Sequence, residues 1–276
     1  MTEARFAPIL CDLDGVVWLS HEPIAGSVEA IAALRAVGHR VLFVTNNSYA
    51  KVAQQEETLK SIGIPAVGDV LTSSGAAATL LKRGQRVLVA GGPGVVEAVE
   101  QVGAIVAGRT DDDSSPDAQL KTDANIDAVI VGFHGTFDFE SMRRASAAVR
   151  SGAVLIGTND DATYPTSTGL IPGGGSILAA IATASGMAPI VAGKPFAPMG
   201  ELVRRTLGMT DLSSCWMVGD RYSTDGVFAK TIGAKFALVT SGIVDRAGAH
   251  ALRDEHKFEV VVDDLLGLAK HLGVAV

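Results

Sequence analysis

Ile9-Leu10-Cys11-Asp12-Leu13-Asp14-Gly15 is an apolar run that stops abruptly at two carboxylates, spaced i, i+2, and a glycine. The run reads as a buried strand with Asp12 at its carboxyl end. In open parallel α/β sheets that edge is where ligands bind. If strand geometry continues through Asp14, both carboxylates point the same way. Two such charges repel unless a cation lies between them, and their hard oxygens suit Mg2+. Gly15 lets the chain turn sharply or approach a ligand closely. Taken alone, the stretch reads equally well as a turn after a core strand, because Asp and Gly are ordinary turn residues. The rest of the chain decides between the two.

Outward from this stretch, helices and strands alternate. Residues 26–38 place Val28, Ile31 and Leu34 at helical spacing, with Gly38 as the stop. Val41-Leu42-Phe43-Val44 is a strand running into Thr45-Asn46-Asn47-Ser48. Residues 51–62 form a helix and residues 70–71 a short strand. This β-α-β-α-β order opens a doubly wound sheet. A second series starts at Arg86, with strands at 86–90, 127–133 and 153–157 and helices after the first two. Between them, residues 109–125, with Asp111-Asp112-Asp113, read as an exposed, solvated loop. The first series resumes near Ile190, with a helix at 198–207 and strands at 215–218, 235–240 and 260–262. The expected fold is α/β. Residues 1–74 and 188–276 make a Rossmann-like three-layer core, and residues 75–187 make a smaller inserted α/β domain.

Composition narrows the function classes. Hydrophobic residues make up 47% and charged residues 19%, as in a folded soluble protein. The net charge of −7 argues against a broad nucleic-acid surface, so an anionic substrate must be held by local groups. Cys11 and Cys215 lie inside apolar runs and are expected to be buried, reduced thiols, which fits the cytoplasm. No signal-peptide pattern opens the sequence. The long uncharged stretch 162–193 is broken by Pro165, Pro172, Gly186 and Pro189, which rejects a membrane span.

Strand after strand of the first series ends in a polar or reactive residue: Asp12, Thr45 and Asp220. Sheet topology would bring these ends to one rim, with Lys194 joining from a loop. That set suits phosphoryl transfer. A phosphate monoester carries close to two negative charges, so an attacking carboxylate needs that charge neutralised by a metal and an ammonium.

The same four segments resemble the haloacid dehalogenase superfamily of phosphatases. Asp12-Leu13-Asp14-Gly15-Val16 is similar to its first motif, Thr45-Asn46-Asn47 to its second, Gly193-Lys194-Pro195 to its third, and Gly219-Asp220-Arg221-Tyr222-Ser223-Thr224-Asp225 to its fourth. The insertion resembles the C2-type cap of subfamily IIA, the NagD-like group with phosphoglycolate, glycerol-phosphate and pyridoxal phosphatases. The stretches 158–165 and 169–176 carry that part of the likeness. The resemblance implies that Asp12 attacks phosphorus and that Asp14 is the general acid and base. Thr45 would bind the phosphoryl group with Asn46 and Asn47, and Lys194 would balance charge. Mg2+ would be held by the Asp12 side chain, the Asp14 main-chain carbonyl and Asp220, with Asp225 supporting from behind. The division between Asp12 and Asp14 also follows from chemistry, because the acid of the first half-reaction must become the base of the second.

Two positions depart from the family pattern. Gly226 stands where an aliphatic residue usually follows the last Asp, and Asp160 stands where proline often follows Thr-Asn. In the cap, the resemblance places Tyr164, Pro165 and Thr166 over the leaving group, with Phe133 lining the same space. His134 reads as an exposed loop histidine. Gly91-Gly92-Pro93-Gly94 lacks the sixth-position glycine of a dinucleotide turn, which is Val96. Gly173-Gly174-Gly175 lacks the Lys-Ser/Thr of a P-loop.

The reading is therefore a cytoplasmic, Mg2+-dependent phosphatase of a small phosphorylated metabolite, with no nucleic-acid or membrane partner. A homodimer is left open by the resemblance. Two rivals stand beside it: a phosphotransferase or mutase using the same aspartyl phosphate, and a non-catalytic binding protein on this fold.

Overall fold

The computed structural model describes residues 6–19, 21–112, 125–166 and 169–276, the side chains of Pro165 and Thr166 excepted. The chain divides into two compact units. The first takes Met1–Thr45, Ala53–Leu71 and Lys194–Val276; the second takes Asn46–Val52 and Thr72–Gly193.

The first unit is built on a sheet whose strands run Val260–Val262, Lys235–Val239, Trp216–Gly219, Ile9–Cys11, Val41–Thr45, Val70–Thr72 in spatial order. Every pair from Val260–Val262 across to Val41–Thr45 is parallel. Ile9, Leu10 and Cys11 are fully buried, as are Leu42, Phe43 and Val44, which is why these strands read as continuous apolar runs rather than alternations. Helix Ser27–Val37 buries Ala30, Ile31 and Leu34 and ends at Gly38, whose φ of 111° lets the chain leave the helix. It packs on helix Leu265–His271, while Ala197–Leu207 packs on Val227–Ile232.

The second unit carries its own parallel sheet, ordered Ile190–Val191, Val154–Gly157, Ala128–Val131, Arg86–Ala90, Ile105–Arg109. Val129, Val131, Leu155, Val149 and Ile181 meet in its core. Helices Pro93–Gln101, Phe139–Arg150 and Gly174–Ser185 connect the strands, and Thr163–Thr166 pairs with Gly169–Pro172 as an antiparallel hairpin. A short helix, Ser73–Ala78, starts at Thr72, whose hydroxyl accepts from Gly75 N at 3.1 Å.

Three features differ from expectation. Ile190–Val191, where the first series was expected to resume, pairs with Val154–Gly157 in the sheet of the second unit. The strand Ile105–Arg109 lies where no element was predicted. It is an edge strand, only partly buried, paired to Arg86–Ala90 through a register shift, so its apolar pattern is weak. The acidic run is not simply solvated. Asp111 makes a two-point ion pair with Arg109, both contacts at 2.8 Å, and Asp112 pairs with Arg144 at 3.1 Å. The Arg144 side chain is 1% exposed, and a buried guanidinium needs such a partner. Asp113 lies outside the described residues. Among the described residues no helix is long and apolar enough to cross a membrane.

Candidate active site

Parallel pairing sets where each side chain of the first unit emerges. Cys11 is in register with Val218 on one side and Phe43 on the other. Asp12 therefore leaves the middle strand one residue later, and Asp220 and Thr45 leave the flanking strands two residues later. Asp12 N donates to Val218 O at 2.9 Å, which fixes the start of the turn.

Lys194 ties this rim together. Its Nζ lies 2.8 Å from Asp12 Oδ1 and 2.7 Å from Asp225 Oδ1. The Lys194 side chain is 2% exposed and that of Asp225 is fully buried. Burial alone would lower the pKa of this ammonium, but the charges of Asp12 and Asp225 outweigh it and hold the proton more tightly than on an ordinary lysine. Asp225 is also aimed by Arg221 N, 3.4 Å from its Oδ2.

Asp220 completes a cluster. One carboxylate oxygen each from Asp12, Asp220 and Asp225 lie within 4.8 Å of one another. Burial, and then the charge of Asp12, push the Asp220 carboxyl up to about 6. Burial likewise raises Asp225, against the pull of Lys194. Ile243 N donates to Asp220 Oδ2 at 3.0 Å. Three glycines make room for these acids. A Cβ at Gly15 would sit 2.4 Å from Asp220 Oδ2, at Gly242 2.1 Å from the same atom, and at Gly219 2.2 Å from Asp225 Oδ2. Gly15 also has φ +82°, where a side chain is strained. Three hard-oxygen donors gathered in a glycine cradle, opposed by one ammonium, suit a small divalent cation.

Asp14 stands open to solvent on one side. Crowding by the surrounding chain, and then the Asp12 charge, raise its carboxyl above the ordinary range. Trp18 Nε1 donates to its Oδ1 at 3.0 Å and so aims it. A carboxyl with a raised pKa is protonated in a larger share of molecules near neutral pH, and so is more often available as a general acid. Thr45 is buried at the end of its strand.

The remaining candidates belong to the second unit. Asn46 Nδ2 donates to Asp161 Oδ2 at 3.1 Å. Asn47 Oδ1 accepts from Tyr49 N and Ala50 N at 3.0 and 3.3 Å, which builds a tight turn. Phe133 packs 5.7 Å from Tyr49 and 5.8 Å from Tyr164, so three aromatic rings line up, and Tyr164 is 39% exposed. Pro165 and Thr166 belong to the same hairpin strand as Tyr164.

His134 is buried, not exposed as its loop position implied. Its Nε2 is hydrogen-bonded to Thr110 Oγ1 at 3.0 Å and its Nδ1 to Thr136 Oγ1 at 3.3 Å. Burial lowers its pKa. The unfolded chain then binds the proton more readily than the folded one, so the stability due to neutral His134 is complete above the ordinary value of about 6.5 and is lost as pH falls through the folded value. Denaturant melts at pH 7.5 and 5.5 should show a larger loss for the wild type than for His134→Gln. Equal losses would remove this role.

Gly226, the departure in the fourth motif, has a packing reason. Residues Tyr222–Gly226 form a single π-helical turn, and a Cβ at Gly226 would sit 2.3 Å from the Tyr222 ring. Tyr222 in turn stacks on His256 with centroids 4.0 Å apart. The backbone support of Asp220 by Ile243, and the hydrogen bond from Ser241 Oγ to Gly15 O at 2.7 Å, were not anticipated. The only sequence signal was a Thr-Ser-Gly at the end of a strand.

Residues 9–105 match the sequence model of the haloacid dehalogenase-like hydrolases, and residues 191–268 match that of the HAD-hydrolase-like group. The chain is 34% identical over 260 residues to the 5'-nucleotidase YutF of Bacillus subtilis, covering 93% of this chain and 94% of that one. It is 36% identical over 240 residues to the D-glycerol 3-phosphate phosphatase of Mycobacterium tuberculosis, covering 85% of this chain but only 63% of that protein's length. A crystal structure of the glycerol phosphate phosphatase Rv1692 from Mycobacterium tuberculosis, in complex with magnesium, matches with a TM-score of 0.81 and 31% identity, covering 95% of this chain and 77% of that one.

Proposed function

Because this chain belongs to the haloacid dehalogenase-like hydrolases, we propose that it is a Mg2+-dependent phosphatase that cleaves a small phosphomonoester through an aspartyl phosphate on Asp12. The observation that carries this reading is Lys194, buried between Asp12 and Asp225 beside Asp220. A surface lysine or a simple turn would not need this arrangement.

In the proposed sequence, an Asp12 oxygen attacks phosphorus while the bond to the leaving alkoxide breaks. Asp14 gives its proton to that alkoxide. Asp14, now ionised, takes a proton from water as the water oxygen attacks the same phosphorus, and the Asp12–phosphorus bond breaks to release phosphate. Lys194 keeps the Asp12 oxygens oriented and offsets charge as the dianion arrives. Thr45 and Asn46 are assigned to the phosphoryl oxygens, with Asn47 shaping the turn next to them. Asp12, Asp220 and the main-chain carbonyl of Asp14 are assigned to Mg2+, and Asp225 supports them through Lys194 and Arg221. A bound Mg2+ would supply positive charge to the phosphoryl oxygens. Selection among esters is assigned to Phe133, Tyr164, Pro165 and Thr166.

The test is inorganic phosphate release from glycerol phosphate, phosphoglycolate, sugar phosphates, nucleoside monophosphates and p-nitrophenyl phosphate, with Mg2+ and with EDTA. Release that needs Mg2+ is expected, with one ester preferred. Equal rates in EDTA, or no release from any ester, would overturn the reading.

A further inference from the structure

The loop from Thr158 to Asp161 closes a ring of hydrogen bonds on the residue directly after Thr45. Asn46 Nδ2 donates to Asp161 Oδ2 at 3.1 Å. Asp161 N donates to Asn159 Oδ1 at 3.2 Å, and Asn159 Nδ2 donates to Asn46 O at 2.8 Å. Ser73 Oγ donates to the same carbonyl at 2.8 Å. The ring removes the freedom of the Asn46 amide to flip, because its NH2 must face the carboxylate.

Its oxygen is then turned against Gly193. A Cβ at Gly193 would lie 2.6 Å from Asn46 Oδ1 and 2.5 Å from Thr158 O, so only glycine fits there without a shift. Gly193 N also donates to Thr158 O at 2.7 Å. One short loop therefore grips the chain at two places: one residue after Thr45 and one residue before Lys194. Asn159 is buried and Asp161 half-buried, which favours one fixed geometry.

From this ring we propose that Asp161 is a positioning residue for phosphate binding and turnover, acting through the Asn46 amide and the backbone that carries Thr45. It rests on the phosphatase reading above for what is bound. The physical reason is precision. Displacing a group that orients a reacting phosphoryl by about 1 Å can cost up to roughly 10²-fold in rate.

The test compares wild type, Asp161→Ala, Asp161→Asn, Asn46→Ala and the double variant Asp161→Ala/Asn46→Ala. Two quantities are measured in Mg2+: kcat on p-nitrophenyl phosphate, and the Kd of inorganic phosphate by calorimetry. Asp161→Ala should lower kcat about tenfold and weaken phosphate about tenfold. Asp161→Asn keeps an oxygen that accepts from Asn46 Nδ2, and should stay within about threefold of wild type in both. The double variant should be no worse than Asn46→Ala alone. Thermal melts run beside these, and a variant that is merely less stable would keep its phosphate affinity. If Asp161→Ala fails to fold, Asp161→Ser replaces it, with a polar side chain too short to reach Asn46. Phosphate affinity and kcat within twofold of wild type in Asp161→Ala would overturn the proposal, as would losses that multiply in the double variant. A wild type that binds phosphate but hydrolyses no ester would overturn the phosphatase reading, while the phosphate affinities would still judge Asp161.

Discussion

Asp12→Asn is expected to lower phosphate release by about 10³-fold or more while leaving the fold intact, because an amide oxygen is a far weaker nucleophile than a carboxylate. The substitution is nearly isosteric. Lys194 keeps its 2.7 Å contact to Asp225 in the variant, so the buried ammonium is not stranded. One negative charge also leaves a cluster in which Asp14 and Asp220 are already pushed up by burial and then by the charge of Asp12. The melting temperature should therefore hold or rise. The measurement is phosphate release from the best ester, with circular dichroism melts on the same preparations. Activity above a few per cent of wild type would remove Asp12 as the nucleophile. A collapse in melting temperature would mean that the loss of rate says nothing about chemistry.

The second large effect is at Lys194. Lys194→Met should abolish turnover and destabilise the protein by roughly 3–5 kcal/mol, the cost of leaving buried charge uncompensated. Asp225 is the group stranded, since it is fully buried while Asp12 retains some contact with water. Adding Asp225→Asn to Lys194→Met removes that charge, so the double variant should regain part of the lost stability and none of the activity. Denaturant midpoints of the wild type, both single variants and the double variant give the answer. A double variant as unstable as the sum of the singles would show that the ion pair is not what the lysine supports, and that its aliphatic packing matters instead.

The candidate rim was legible because its residues sit at the ends of strands. Apolar runs such as Ile9–Cys11 and Val41–Thr45 announce themselves, and parallel pairing then forces the residues at their carboxyl ends to one edge. The contacts that hold those residues in place were not legible. Asn46 and Asp161 are separated by 115 residues, and no local period connects them. The same holds for Ile243 on Asp220 and for Thr110 on His134, where a polar residue that reads as surface loop is buried because a distant hydroxyl accepts or donates to it. The strand Ile105–Arg109 was missed for another reason. An edge strand with one side open keeps too few apolar positions to be told from a loop. Gly226 looked like a weak helix start and proved to be space for the Tyr222 ring, a fact visible only once the ring is placed.

The sheet of the first unit also constrains how the protein is made. Its middle joins Ile9–Cys11 to Trp216–Gly219, segments far apart in sequence. During synthesis the nascent strand Ile9–Cys11 must wait for the long intervening segment to leave the ribosome before that neighbour exists. The strands of the second unit, from Arg86 to Val191, have all emerged by then. Vectorial synthesis therefore gives the inserted unit a head start. The strand that leads to Asp12, flanked at first only by Val41–Thr45, acquires its other neighbour, Trp216–Gly219, late, and with it Asp220.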